Sequence, residues 1–155
     1  MCLAVAASTH DFATAAVKPV DTRLGFTFEV PDFLQQGIAS GNNRLVLGSV
    51  DDDFAVIVAD FGPDQTDVAA RDAVYRSALS RAGLTVATET DVTAAGRTFK
   101  RFVCTVETPA GVGHAEAVLV PVAGQVYALT VITPAATFDS RQPAIKRLFE
   151  SIRIK

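Results

Sequence analysis

Between residues 25 and 31 the chain alternates strictly, with Phe26, Phe28 and Val30 on one side and Thr27 and Glu29 on the other. A period of two predicts a strand with one buried face, and Pro31 ends it. Two further apolar, β-branched runs, residues 44–50 and 54–61, are separated by Asp51, Asp52 and Asp53, which predicts a hairpin with a polar tip. From residue 64 to residue 82 the period becomes helical. Thr66 or Asp67 is suited to cap that helix and Gly83 to close it. Val74, Ala78 and Ala82 form its stripe with Tyr75 and Leu79 beside them, and Arg71, Asp72, Arg76, Ser80 and Arg81 lie opposite. A short extended piece follows at 84–89. The turn Ala95-Gly96-Arg97 then feeds strands at 98–107, 114–122 and 125–133, the last two joined by Ala123-Gly124. A second helix is predicted over 140–151 from the spacing of Ile145, Leu148, Phe149 and Ile152. Pro143 is tolerated in a first turn, which sets the expected start near Ser140.

These elements predict an α+β fold: a single domain with an antiparallel sheet of about six strands packed with two main helices. Residues 1–22 read as an N-terminal arm and 23–155 as the domain. At 155 residues, 49% hydrophobic and 20% charged, the chain is long and apolar enough for a core of its own. Its net charge of -3 and scattered Lys and Arg offer no phosphate-tracking surface, so nucleic acid is not an expected partner. No stretch is long and apolar enough to cross a membrane as a helix. Residues 2–7 are too short for a span and lack a basic flank, although Ala4-Val5-Ala6 has the small-x-small form of a cleavage site. A cytoplasmic chain is the expectation, ahead of an exported one with a shortened leader.

The chemistry on offer is sparse. Nucleophilic catalysis needs a base beside a hydroxyl or thiol, and the histidines are His10, in the arm, and His114. Cys2 and Cys104 are too far apart in sequence to form a metal or redox motif, and Cys104 falls on a predicted core face. Gly111-Val112-Gly113 precedes a strand rather than a helix, so it reads as a hairpin loop and not a phosphate cradle. Three consecutive aspartates lack the alternation that calcium ligands require. No cofactor, metal or catalytic residue is implied.

One constellation emerges from pairing. A six-residue loop at 108–113 sets Glu107 opposite His114, Thr105 opposite Glu116 and Val103 opposite Val118, and the Ala123-Gly124 turn sets His114 opposite Thr133. Glu107, His114 and Glu116 would then share one sheet end with Thr105 and Thr133, as a candidate binding site. The opposite face, with Phe102, Cys104, Ala115, Ala117, Leu119 and Ala128, is smooth enough for a closely packed helix.

The order of elements, with Gly25-Phe26-Thr27-Phe28-Glu29-Val30-Pro31, Gly96-Arg97-Thr98-Phe99-Lys100-Arg101, Val126-Tyr127-Ala128-Leu129-Thr130 and the closing Phe138-Asp139 through Leu148-Phe149-Glu150-Ser151-Ile152, resembles the superfamily of the photosystem accessory protein PsbP, the Ran-binding Mog proteins and the bacterial DcrB-like domains. The resemblance spans residues 24–154. It implies a non-catalytic accessory, envelope or chaperone-like protein whose task is to bind another protein. The metal cluster of the plant accessory type and a Ran-binding surface have no counterpart in these residues. Two functional readings stay open: a protein-binding domain, and a small-ligand or metal-binding protein, in one form a hydrolase, centred on Glu107, His114 and Glu116.

Overall fold

The computed structural model describes residues 15–49, 54–65, 67–109 and 111–155. His10, the aspartates 51–53 and Thr66 lie outside them. The chain runs β1 (Val17–Asp21), β2 (Phe26–Pro31), β3 (Gln35–Gln36), β4 (Asn43–Gly48), β5 (Ala55–Pro63), α1 (Val68–Arg81), β6 (Leu84–Ala94), β7 (Arg97–Thr108), β8 (Gly111–Val122), β9 (Gln125–Pro134), α2 (Phe138–Glu150) and β10 (Arg153–Ile154). Seven strands form one sheet in the order β3-β4-β5-β9-β8-β7-β6, and β1-β2-β10 form a small second one. The α+β expectation holds, with more strands than the expected six. The additions include β1, which falls within the stretch read as an arm and pairs with β2 from Val17↔Pro31 to Asp21↔Thr27.

The two faces of the large sheet are covered differently. On one, Val56, Val58, Val118, Val120, Leu129 and Val131 pack under Phe26, Phe28 and Val30 of the small sheet and under Ile145, Leu148 and Phe149 of α2. On the other, Phe102, Cys104, Ala115, Ala117, Leu119 and Ala128 meet Tyr75 and Leu79 of α1. Small side chains at the centre of that face let the helix approach closely, as their alternation predicts.

Asp67 caps α1, its carboxylate accepting from the Ala69 and Ala70 N–H groups at 2.9 and 3.2 Å, and Gly83 with φ +84 follows the last turn. The buried stripe is rotated from the expected one: Ala82 is exposed, while Arg71 and Asp72 are half-buried. The cause is ionic. Lys100 on β7 holds Asp72 at 2.9 Å and Glu89 of β6 at 2.6 Å, and Arg76 also pairs with Glu89, so this polar flank of α1 is tied to the sheet. The hydrogen bond from Lys100 holds Glu89 below the usual carboxylate range, and the same bond raises Lys100.

Tyr75 reports on the same packing. Burial first, then the nearby Asp64 charge and its hydrogen bond, push its phenol up to about 12. A raised folded-state value means a contribution that is complete below the unfolded value near 10 and lost as the pH climbs towards 12. Stability measured by urea denaturation is therefore expected to fall across that window. Tyr75→Phe should flatten the fall by on the order of 2 kcal/mol; an unchanged alkaline limb in the variant would contradict the assignment.

α2 begins at Phe138, after a 3-10 turn at Ala135–Thr137, two residues before the expected start. Pro143 consequently lies in the second turn and not the first. Its side is exposed, so the Asp139 carbonyl that loses an N–H partner there can take water instead.

Candidate functional site

Strand β8 places His114 and Glu116 on the face that carries Val118 and Val120 further along, so the two polar residues continue the core row towards one end of the sheet. The pairing is Thr105↔His114 and Val103↔Glu116 on one side, and His114↔Thr133 and Glu116↔Val131 on the other. Relative to the expected register, the β8–β9 ladder agrees and the β7–β8 ladder is displaced by two residues. Gly111-Val112-Gly113 is the start of β8 rather than a loop: Thr108 pairs with Gly111, and Thr108 Oγ1 donates to the Gly111 carbonyl at 2.7 Å. Gly111, at φ +113, permits this tighter closure.

The displacement decides which candidates meet. His114 Nε2 stands 3.5 Å from Glu116 Oε2. Glu107 does not join them, because it pairs with Val112 near the hairpin tip and is exposed there. Its place beside Glu116 is taken by Arg101, whose Nη1 lies 3.4 Å from Glu116 Oε1 and whose Nε donates to Thr90 Oγ1 at 2.9 Å. Phe138, the first residue of α2, stacks on the His114 ring with centroids 3.4 Å apart. The β8–β9 side of the sheet end is thus roofed, with Glu116 4% exposed and Thr133 1%, while Thr105 on β7 is exposed. Arg101 was reachable from sequence, since it shares the face of Val103 and becomes the diagonal neighbour of Glu116 once the register is right. Phe138 carried no such signal, because nothing local tells where α2 crosses the sheet.

His114 Nε2, Glu116 Oε2 and Thr133 Oγ1 are buried without a hydrogen-bond partner. Three such atoms at one corner, with the imidazole and carboxylate just beyond hydrogen-bond length, suit a small donor-acceptor species such as one buried water. Thr133 is sealed from solvent, and Glu116, 4% exposed, meets it only where it lines a cleft beside α2. Among the described residues no group of three or more His, Cys, Asp or Glu side chains is placed to hold a metal. Cys104 is buried, and burial pushes its thiol up to about 11, the opposite of what a nucleophile requires.

Two larger clefts flank the sheet. One, of about 730 Å³, lies between α2 and the β6–β8 strands and has Arg101 and Glu116 in its wall. The other, of about 690 Å³, lies on the α1 face over Ile57, Ala59, Phe61 and Ile132. The sheet also has two unlike edges. The β4 edge is shielded along part of its length by the two-residue β3. At the opposite end β6 is the last strand, and its residues 87–91 are exposed in succession.

No protein-family profile matches the chain, and no curated protein sequence matches it. Solved structures do. The cyanobacterial PsbP (CyanoP) of Synechocystis sp. PCC 6803 superposes with a TM-score of 0.68 at 14% identity, covering 91% of this chain and 94% of that one. The Saccharomyces cerevisiae Ran-binding protein Mog1p gives 0.59 at 10% identity over 91% and 96%. LpqN, involved in cell envelope biogenesis of Mycobacterium tuberculosis, gives 0.58 at 13% identity over 92% and 87%. At such identities the likeness is one of fold, and the chain has the PsbP/Mog-like α+β architecture that its sequence resembles.

Proposed function

We propose that this PsbP/Mog-like domain is a non-enzymatic protein-binding module that holds an extended segment of its partner along the free edge of β6. The observation that carries the reading is the edge itself. β6 spans eleven residues, ends the sheet, contains no proline, and is paired on its inner side without interruption from Thr88↔Val103 to Ala94↔Arg97. Its outer N–H and C=O groups have no strand beside them among the described residues, which is the template that strand addition uses.

The usual defences of an edge are weak here. The register shift between Val86 and Thr88 affects only the start of the strand. Of the two carboxylates on the strand, Glu89 is already neutralised by Arg76 and Lys100, which leaves Asp91 as the one exposed charge without an ion pair among the described residues. Thr85, Thr88, Thr90 and Thr93 are exposed and β-branched, the side chains that suit a pleated surface. Mog1p, which has this fold, is a Ran-binding protein, so the architecture is compatible with protein recognition. The ligand or hydrolase reading has less support: Glu107 stands apart from His114, and of the two hydroxyl residues paired with His114, Thr133 is sealed from solvent while Thr105 lies at the surface.

A phage-displayed library of random peptides, selected on the purified domain, tests the proposal. Enriched peptides should be extended and β-branched, and should slow amide exchange along residues 87–93. N-methylation at one alternate set of their residues should abolish binding while the other set is tolerated, because only one set of N–H groups faces β6. Peptides that bind equally well whichever set is methylated, or no enrichment at all, would sink it.

A further inference from the structure

The large sheet is seven strands wide, roughly 29 Å across at the usual strand spacing. Its α1 face is covered by one helix, about 10–12 Å in diameter. That helix packs over β6–β9 through Tyr75 and Leu79, so a band of apolar sheet on the β5 side must remain uncovered. Ile57 and Ala59 of β5 are half-buried there; with Phe61, whose ring borders Tyr75 of α1 at 6.4 Å between centroids, and Ile132 of β9, which packs against the α1 cluster, they form the floor of the 690 Å³ cleft.

The cleft is a bounded hollow and not a flat face. The last turn of α1, with Ala78, Arg81 and Ala82, makes one wall, and Asn42 and Asn43 at the start of β4 stand among the lining residues on the other side. Its volume falls within the range of small-molecule sites. The charges at its rim are unequal. Asp60 is already satisfied by Arg44 at 3.1 Å, by the Gly62 N–H at 2.8 Å and by Gln125 at 3.4 Å. The exposed Arg81 side chain makes no hydrogen bond or ion pair among the described residues.

We infer that this cleft, which touches β6 only at its first residue, Leu84, is a binding site for an amphipathic organic anion, a carboxylate with an apolar body, distinct from the 87–93 stretch of the β6 edge. The apolar body covers Ile57, Ala59, Phe61 and Ile132, replacing the second helix that the sheet lacks. The carboxylate meets the Arg81 guanidinium, which presents paired donors to it, and the Asn42 and Asn43 amides border the same rim.

The test uses dodecanoate below its micellar concentration, with dodecyltrimethylammonium as a probe of equal tail and opposite charge, followed by calorimetry and amide chemical shifts on the intact chain. Dodecanoate should bind and shift the amides of Ile57, Ala59 and Ile132, and the cationic probe should bind at least about tenfold more weakly. Arg81→Glu, a surface change that leaves the circular dichroism spectrum unaltered, should weaken dodecanoate about tenfold or more, and Arg81→Lys should retain most of the affinity. Equal binding of the two probes, indifference to Arg81→Glu, or shifts mapping elsewhere would overturn the site. If dodecanoate fails and the displayed library instead yields amphipathic helical peptides that map to this floor, the occupant is a partner's helix and the small-anion assignment falls.

Discussion

Phe28→Ala is expected to lower the unfolding free energy by about 3–5 kcal/mol, the range for deleting a fully buried aromatic side chain. Phe28 is 1% exposed and belongs to the central strand of the small sheet, with β1 on one side and β10 on the other. Its ring is part of the core shared by the large sheet and α2, beside Phe26 at 6.3 Å between centroids. The loss removes transfer free energy and leaves a cavity between layers that cannot close without moving a sheet. Against a total stability on the order of 5–15 kcal/mol, it lowers the melting temperature by roughly 10–15 °C. Glu29→Ala, on the exposed side of the same strand, should stay within about 0.5 kcal/mol. Comparable losses for the two variants in urea titrations would mean that β2 does not separate an inner face from an outer one.

The contrast between those neighbours also explains why β2 was legible in the sequence. Its faces meet different environments, so burial and polarity share a period of two. The β8–β9 ladder was legible for another reason: Ala123 and Gly124, at φ 51 and 82, close a turn whose backbone twist matches the strands and fixes the register. At the β7–β8 hairpin no such turn fixes the register locally. Thr108 and Gly111 extend the β7–β8 ladder into the expected loop, and that displacement of two residues preserved every face while separating Glu107 from His114.

β6 runs five residues further than its apolar pattern suggested, because residues 87–91 are exposed on both faces and show no alternation. The property that hid the strand is the one that makes it available to a partner. β1 escaped for a related reason, being short and interrupted by Pro19. The groove beside α1 is not written in any local pattern. It follows from the width of a sheet against the width of a helix, and strand order sets that width only once the whole chain is folded.

Gly25→Ala is expected to cost about 3 kcal/mol, combining two penalties that a double-mutant cycle can separate. Gly25 has φ +101, and a Cβ added there would come within 2.6 Å of Val122 Cγ1. The backbone conformation alone disfavours an L side chain by on the order of 1–2 kcal/mol, and the overlap adds a similar amount if Val122 cannot move away. Movement is limited, since Val122 is paired with Gln125 next to the Ala123-Gly124 turn, while Gly25 accepts from the Lys155 N–H at 2.9 Å and leads directly into β2. Truncating the neighbour with Val122→Ala removes the clash but not the dihedral strain. In that background Gly25→Ala should cost about half as much, a coupling on the order of 1–2 kcal/mol. An equal cost in both backgrounds would show that strain at the turn acts alone and that β2 does not enter the core against the end of β8. A negligible cost in both would remove the left-handed turn itself from the description.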